Sequence, residues 1–263
     1  MPLLGPVPTA DQAAHLIARY YHLRHGRYEQ DILFYQGLVA RAGPLVLELG
    51  CGDGRLLEPL AAAGATVLGL DNNRDMLTAA AERIRGQPRV YLALAELEAI
   101  PARGAGLAIL ALNTFCHFAS QEKQERVLGA IYSALAPGGL LAMDLPNPHV
   151  ELEARPDGAC LLEGTYDMGD GWVQEWSVCE SDPAEQTLRI TSLYDCIGRD
   201  GMIRREWYSL RLRLFYRYEL ELLLRCAGLE VEAVLGDYDY RDYTSEAPRM
   251  LVLARRPTRS EAG

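Results

Sequence analysis

The stretch Val46-Leu-Glu-Leu-Gly-Cys-Gly-Asp-Gly-Arg55 decides the fold of this chain. A short apolar run of this kind is typical of a buried parallel strand, and a helical pattern follows from Arg55 to Ala63. The three glycines between them lack a Cβ and allow positive φ, so a bound nucleoside can lie against the main chain. The stretch therefore predicts a strand, a ligand-binding turn and a helix.

The same alternation of strands and helices continues along the chain. Short apolar runs predict further strands at Thr66 to Leu70, Val90 to Leu94, Leu107 to Leu112, Leu140 to Leu145, Leu229 to Leu235 and Arg249 to Ala254. Helical patterns lie between most of them, at Arg74 to Arg85, Gln121 to Leu135 and Tyr218 to Cys226. Alternating strands and helices predict a parallel sheet that is covered on both faces.

Two segments depart from this alternation. Residues 10–41 carry helical patterns broken around Arg24 to Gly26, which predicts two helices ahead of the first strand. After Pro148 the pattern changes to long strands separated by turn residues. These strands are expected at Trp172 to Asp182, Thr187 to Cys196 and Met202 to Leu214, which predicts an antiparallel meander inserted in the α/β unit.

Composition limits the classes of function. The 263 residues are 49% hydrophobic and 24% charged, as in ordinary globular proteins, which excludes disorder, collagen and coiled coil. A net charge of −10 disfavours a nucleic-acid partner. No apolar run is long enough for a membrane span, and Met1 to Thr9 fits neither an anchor nor a signal peptide. Six widely spaced cysteines predict free thiols in a cytoplasmic protein without a metal site.

Charged side chains near the glycines indicate the kind of ligand. A dinucleotide fold would have a third glycine at the position of Arg55 and would hold pyrophosphate at the helix N-terminus. Here Glu48 precedes the turn and Asp53 lies inside it, which favours a cationic ligand over a pyrophosphate. Asp71 ends the second strand, where a carboxylate can accept both ribose hydroxyls. As the residue before Asn72, it could equally cap the next helix.

Five segments, in order, resemble the motifs of class I S-adenosylmethionine-dependent methyltransferases. They are VLELGCGDGR (46–55), VLGLDNNRDML (67–77), ALAELEAIP (93–101), ALNTFCHF (111–118) and LAPGGLLAMDLPNP (135–148). The resemblance resumes in residues 215–255 with CAGLEVEAVLGDY (226–238) and RMLVLARR (249–256).

This resemblance implies a Rossmann-like α/β fold. The expected sheet is seven-stranded and mostly parallel, with helices on both faces, an N-terminal helical lid and an inserted antiparallel β-meander. The chain then divides into a lid (1–43), an S-adenosylmethionine-binding core (44–148), an inserted sheet (149–214) and the C-terminal part of the core (215–256).

The resemblance also implies which residues bind S-adenosylmethionine. The turn from Gly50 to Gly54 would hold the methionine part, Asp71 the ribose, and Glu96 would face the adenine amino group. The full implied set is Tyr21, Glu48, Gly50, Cys51, Gly52, Gly54, Arg55, Asp71, Asn72, Met76, Ala95, Glu96, Leu97, Leu112, Asn113 and Phe115. Two positions depart from the family pattern: Glu96 stands for the commoner Asp, and Gly106 for an acidic residue at the start of the fourth strand.

Two further side chains are candidates for direct roles. An amine or hydroxyl acceptor must lose a proton, and His117 is the candidate base because the usual pKa of histidine lies near neutrality. A packing or capping role is the alternative for His117. Tyr21 lies in the aromatic-rich N-terminal helices and is the candidate lid contact, with ordinary packing on the sheet as its alternative.

The inserted meander carries several arginines. A guanidinium can bind a carboxylate or phosphate of the acceptor, although arginines on a solvated sheet face also restrain edge pairing. In similar small-molecule methyltransferases such an insertion roofs the acceptor pocket or forms a dimer contact, so a homodimer through the inserted sheet is one expectation. The arginines concerned are Arg204, Arg205, Arg211, Arg213 and Arg217.

The sequence as a whole predicts a methyltransferase that acts on nitrogen or oxygen of a small molecule, with no nucleic-acid partner, no membrane partner and no metal. One alternative is a non-catalytic S-adenosylmethionine-binding regulatory module, which the unusual Gly106 favours. A second is a nicotinamide-dependent oxidoreductase. Nucleic-acid methylation is opposed by the charge of the chain and by the lack of an N/D-P-P-Y/F-type sequence after the fourth strand.

Overall fold

The computed structural model describes residues 6–26 and 28–258. The first five residues of the predicted lid and the last five of the chain lie outside this range. The helices are α1 (Ala10–His25), α2 (Ile32–Ala42), α3 (Leu57–Ala62), α4 (Arg74–Arg83), α5 (Gln121–Ala134), α6 (Pro148–Ala154) and α7 (Arg217–Cys226). The strands are β1 (Leu45–Leu49), β2 (Thr66–Asp71), β3 (Val90–Leu94), β4 (Ala105–Leu110), β5 (Leu135–Pro146), β6 (Cys160–Asp167), β7 (Gly171–Asp182), β8 (Thr187–Gly198), β9 (Ile203–Arg213), β10 (Glu230–Leu235) and β11 (Arg249–Arg255).

Seven of the strands in the described residues form one sheet in the order β10-β11-β5-β4-β1-β2-β3. β11 runs antiparallel to both of its neighbours, and the other neighbouring pairs are parallel. The predicted Rossmann-like, mostly parallel sheet is therefore confirmed. The chain leaves β1 on one side towards β2 and returns on the other side at β4, and a ligand crevice forms at such a reversal of strand order.

Side chains on successive residues of the central strands enter two separate cores, because strand side chains alternate between the faces of a sheet. On β1, Leu47 and Leu49 face the core that is covered by α5 and α7, whereas Val46 faces the core under α2, α3 and α4. All six residues of β4 are buried. No helix in residues 6–26 and 28–258 is long and apolar enough to cross a membrane.

The inserted segment forms a second sheet in the described residues, in the order β6-β7-β8-β9. The predicted inserted antiparallel meander is confirmed with its three predicted strands, and a fourth strand, β6, was missed. β6 is an edge strand that is largely exposed and is interrupted by a bulge between Leu162 and Gly164. It therefore lacks the apolar alternation from which a strand is recognised in sequence.

Strand β4 also differs from the prediction at its end. It stops at Leu110 rather than Leu112, because Leu112 and Asn113 have φ of 42° and 68°, in the left-handed region that a strand cannot contain. A short 3-10 helix (Thr114–His117) follows.

Gly106 lies in β4 where the end of α2 packs on the sheet. A Cβ built on this residue would lie 1.7 Å from the carbonyl oxygen of Ala42, far closer than two such atoms can approach. The acidic residue that the resemblance leads one to expect does not fit here. The departure at Gly106 is thus a packing requirement and no longer favours a non-catalytic module.

We expect Gly106→Ala to lower the free energy of unfolding by about 2 kcal/mol or more, because the backbone of α2 has to shift. Urea unfolding of the purified protein measures this. Gly129→Ala is the matched control, since a Cβ there meets nothing within 4 Å. In a helix this control should gain about 0.5–1 kcal/mol. Equal stability of the two variants would contradict the packing argument.

Candidate active site

The glycine-rich turn begins where β1 ends. Gly50 and Gly52 have φ of 74° and 54°, values that favour glycine. A Cβ on Gly50 would lie 2.5 Å from Cγ2 of Thr114, and one on Gly52 would lie 3.6 Å from the ring of Tyr21. The turn is therefore enclosed between the 3-10 helix that follows β4 and the helix α1.

Asp71, the last residue of β2, anchors this turn. Its Oδ2 accepts a hydrogen bond of 2.9 Å from the amide of Gly52, and its Oδ1 accepts one of 2.8 Å from the amide of Asn73. Burial raises the pKa of Asp71, although backbone N–H donors act in the opposite direction. The capping role considered for Asp71 belongs to Asn73, whose Oδ1 accepts from the amides of Asp75 and Met76 at the start of α4.

Glu48 is a buried carboxyl at the end of β1, directly before the glycines. Only 3% of the residue is exposed, and its Oε2 has no hydrogen-bond partner among the described residues. Burial raises the pKa of Glu48 well above its usual range. A buried acceptor without a partner is uncommon in a folded protein and points to a donor that a ligand supplies.

The ends of β2 and β3 bring the predicted adenine side together. Nδ2 of Asn72 donates to the carboxylate of Glu96 at 3.2 Å, and both residues are exposed at the rim. The amide of Ala95 donates to the carbonyl of Asp71 at 3.0 Å. Met76 and Leu97 are buried beside them.

The 3-10 helix after β4 forms the opposite wall. Phe115 is buried against Phe215, with ring centres 5.0 Å apart, and Leu112 and Asn113 form the turn that leads into the helix. His117 ends this helix with an exposed side chain, yet enough protein surrounds its imidazole for desolvation to lower its pKa. The cap of the next helix is Ser120 rather than His117.

Comparisons with known proteins agree with this geometry. A family model described as a methyltransferase domain matches residues 46–139, which include the glycine-rich turn, Asp71 and His117. The cypemycin N-terminal methyltransferase of Streptomyces sp is 29% identical, over 81% of this chain and 84% of that protein. The trans-aconitate 2-methyltransferase of Delftia acidovorans is 32% identical, over 42% of this chain and 41% of that one. The solved structure of the CcbJ methyltransferase from Streptomyces caelestis has a TM-score of 0.75 and 25% identity, over 92% of this chain and 96% of that one.

This chain is a class I S-adenosylmethionine-dependent methyltransferase. Its cofactor is S-adenosylmethionine, which excludes the oxidoreductase alternative. The residues of the methyltransferase fit this cofactor on two observations. Oε2 of Glu48 is an unmet acceptor that an ammonium group can satisfy, and Gly52 presents no side chain to a ligand between the turn and Tyr21. The carboxylate of Asp71 accepts from the backbone amides of Asn73, Gly52 and Asn72, which leaves acceptor capacity for a ribose hydroxyl.

Two charged side chains near the glycine-rich turn, Arg55 and Asp53, already form ion pairs with other residues of the methyltransferase. The guanidinium of Arg55 donates to both oxygens of Asp31, at 2.7 and 2.6 Å, and to the carbonyl of Tyr28. The expected contact of Arg55 with the cofactor stays a prediction. Arg83 pairs with Asp53 at 2.7 Å, so the turn is less negative than its sequence indicates. Cys51 is buried, and burial raises the pKa of its thiol.

Sequence reasoning missed four residues near the site, namely His25, Asp144, Tyr238 and Arg249. The ring of His25 lies 4.6 Å from that of Tyr21, and burial, together with nearby arginines, lowers the pKa of His25 to about 4. Asp144 is buried at the end of β5 and bonds to Arg249 of β11 and to Tyr238. The position of Asp144 at the carboxyl end of a predicted central strand was the one available signal.

Helix α1 lies between the glycine-rich turn and the inserted sheet. Its carbonyl at Ala14 accepts from Nδ2 of Asn73, and Tyr21 faces Gly52. On its other side Tyr20 stacks on Tyr194 of β8, with ring centres 3.9 Å apart. The lid role of Tyr21 remains a prediction, and this placement is compatible with it.

The arginines of the inserted sheet bond to neighbouring side chains. The pairs are Arg204 with Glu206, Arg205 with Asp195, Arg211 with Thr187 and Arg213 with Glu219. Arg217, predicted with this group, lies at the start of α7 instead and pairs with Glu221. This pattern favours the structural alternative for these residues over acceptor binding. The face of the sheet that is turned away from α1 exposes Leu162, Trp172 and Ile203, and a homodimer through it stays a prediction.

We expect Asp71→Asn to raise the dissociation constant for S-adenosylhomocysteine about tenfold, because an amide has one acceptor oxygen instead of two. Isothermal titration calorimetry measures the constant. Asp75→Asn is the matched control, since Asp75 lies on the same segment but pairs with exposed His15. Unchanged binding by Asp71→Asn would contradict the ribose assignment.

Proposed function

We propose that this methyltransferase transfers the methyl group to an amino nitrogen of a small molecule. Both curated relatives compared above are methyltransferases, but their names differ in the acceptor: an N-terminus, which is an amine, and trans-aconitate, which is a carboxylate. The alignment with the first spans most of both chains, whereas that with the second spans about two fifths of each.

The choice of an amine rests on the charges around His25, whose ring lies beside Tyr21 near the glycine-rich turn. Three arginines influence this residue electrostatically, namely Arg24, Arg55 and Arg249. Each pairs with buried or partly buried carboxylates: Arg24 with Glu163 and Glu175, Arg55 with Asp31, and Arg249 with Asp144. Their positive charge is thus balanced inside the protein. A carboxylate acceptor would gain little from them, while a neutral amine avoids the cost of desolvating an anion.

Methyl transfer requires the protein mainly to align the acceptor with the methyl group of the cofactor. S-adenosylmethionine supplies a methyl group that its sulfonium already activates. The tyrosine rings of α1 and the wall at Phe115 exclude water from the crevice and hold the acceptor in line. His117 accepts the proton that the amine loses, since its lowered pKa leaves the imidazole neutral at pH 7.

We expect His117→Gln to lower kcat about 100-fold or more, because the variant has no base for the amine proton. In the parent enzyme kcat should fall only at a pH below the usual range of histidine, because the pKa of His117 is lowered, and this limb should be absent in the variant. A pH–rate profile measures both effects. His22→Gln, an exposed position on α1, is the control and should keep the limb. Retention of the limb in His117→Gln would assign the base elsewhere.

The acceptor class is tested with a panel of small amines, carboxylates and phenols, with formation of S-adenosylhomocysteine as the readout. We expect kcat/KM for the best amine to exceed that for the best carboxylate about 100-fold, because the site offers no unbalanced positive charge among the residues discussed above. Preference for a phenol would move the assignment to oxygen. Preference for a carboxylate would overturn the charge argument.

A further inference from the structure

The turn between β4 and the 3-10 helix has an unusual backbone. Leu112 and Asn113 are consecutive residues with positive φ, and neither is glycine. A bulky residue such as leucine rarely adopts this conformation, which persists only where surrounding contacts enforce it. Contacts with surrounding residues must therefore hold the turn in this conformation.

Asp144 supplies most of them. Its Oδ2 accepts from the amide of Leu112 at 3.1 Å, and its backbone carbonyl accepts from the amide of Asn113 at 3.0 Å. Arg249 completes the arrangement with a fork: Nε donates to Oδ1 of Asp144 at 2.5 Å, and Nη2 donates to Oδ1 of Asn113 at 2.6 Å. One guanidinium thus joins the carboxylate to the side chain of the strained residue.

The carboxylate is itself fixed. Asp144 is 1% exposed, and the hydroxyl of Tyr238 donates to its Oδ2 at 2.7 Å. Asp144 pairs with Leu251 in the ladder between β5 and β11, the strand that Arg249 begins. The turn is therefore held from two adjacent strands of the main sheet rather than by its own residues.

The turn at Leu112 and Asn113 also shapes the crevice. Thr114, the next residue, packs so closely on Gly50 that a Cβ there would meet its methyl group at 2.5 Å. Leu112, Asn113 and Phe115 are the residues expected beside the sulfonium of the cofactor. A shift of the turn would move this wall against the glycine-rich turn.

We propose that Arg249 is a positioning residue for methyl transfer, which with Asp144 holds the left-handed turn at Leu112 and Asn113 in the geometry that the reaction requires. Arg249 acts through the turn and does not bind the acceptor. The proposal rests on the methyltransferase reaction and not on the choice of an amine as acceptor.

The test compares Arg249→Gln and Arg249→Lys with the parent enzyme. Lysine keeps the charge beside Asp144 but cannot bond to Asp144 and Asn113 as a fork, so this variant carries the test should the glutamine variant fold poorly. Arg255→Gln is the matched control, because Arg255 pairs with Glu232 at the other end of the same strand, away from the turn.

The first readout needs no acceptor. Hydrogen exchange of the amides of Leu112 and Asn113, followed by mass spectrometry on peptides covering 111–116, should be about tenfold faster or more in both Arg249 variants and unchanged in Arg255→Gln. Unchanged exchange in the Arg249 variants would overturn the proposal, whatever the acceptor proves to be.

The second readout separates positioning from binding. With the best acceptor of the panel, kcat should fall about 10- to 100-fold in the Arg249 variants, while KM for the acceptor stays within about threefold. A raised KM with unchanged kcat would instead make Arg249 an acceptor-binding residue and overturn the proposal. An equal loss of kcat in Arg255→Gln would show that the effect comes from the general stability of β11, and would overturn the proposal as well.

Discussion

The hydrogen bond from the amide of Gly52 to the carboxylate of Asp71 joins the carboxyl ends of β1 and β2, and the rest of the site is arranged around it. It acts together with the bonds from the amides of Gly50 and Cys51 to the carbonyl of Leu70, which hold the same turn against β2. The same carboxylate accepts from Asn73, whose side chain caps α4 and also donates to the carbonyl of Ala14 in α1. The carboxylate of Asp71 thus links the turn, through Asn73, to the helix that covers it.

Helix α1 transmits this order to the inserted sheet. One of its sides lies on the glycine-rich turn through Tyr21, and the next residue back, Tyr20, stacks on Tyr194 and donates to Glu206 at 2.5 Å. Arg24 adds ion pairs to the same sheet. The wall on the cofactor side and the wall of the inserted sheet therefore share one helix. A rearrangement of α1 would alter both walls together, since packed elements move as units.

The fold was predictable from sequence because its central strands are short, apolar and separated by helices. β3 occurs at the predicted residues, and β2 extends one residue beyond them. Local pattern failed where distant contacts decide the structure. The early end of β4 depends on Asp144 and Arg249, which are 105 residues apart in sequence, and the role of Arg55 depends on Asp31, 24 residues before it. β6 was missed because an exposed, bulged edge strand has no apolar alternation.

Most of the buried acidic side chains near the site are paired with arginines, although the chain as a whole is acidic. The chain carries a net charge of −10, yet Asp31, Asp53 and Asp144 are each balanced by an arginine. Glu48 is different, because it forms no ion pair with an arginine among the described residues, and burial raises its pKa. The predicted selection of a cationic cofactor therefore rests on this buried carboxyl group rather than on a generally negative turn. The side chain of Arg55 is turned towards Asp31, and its expected contact with the cofactor stays a prediction.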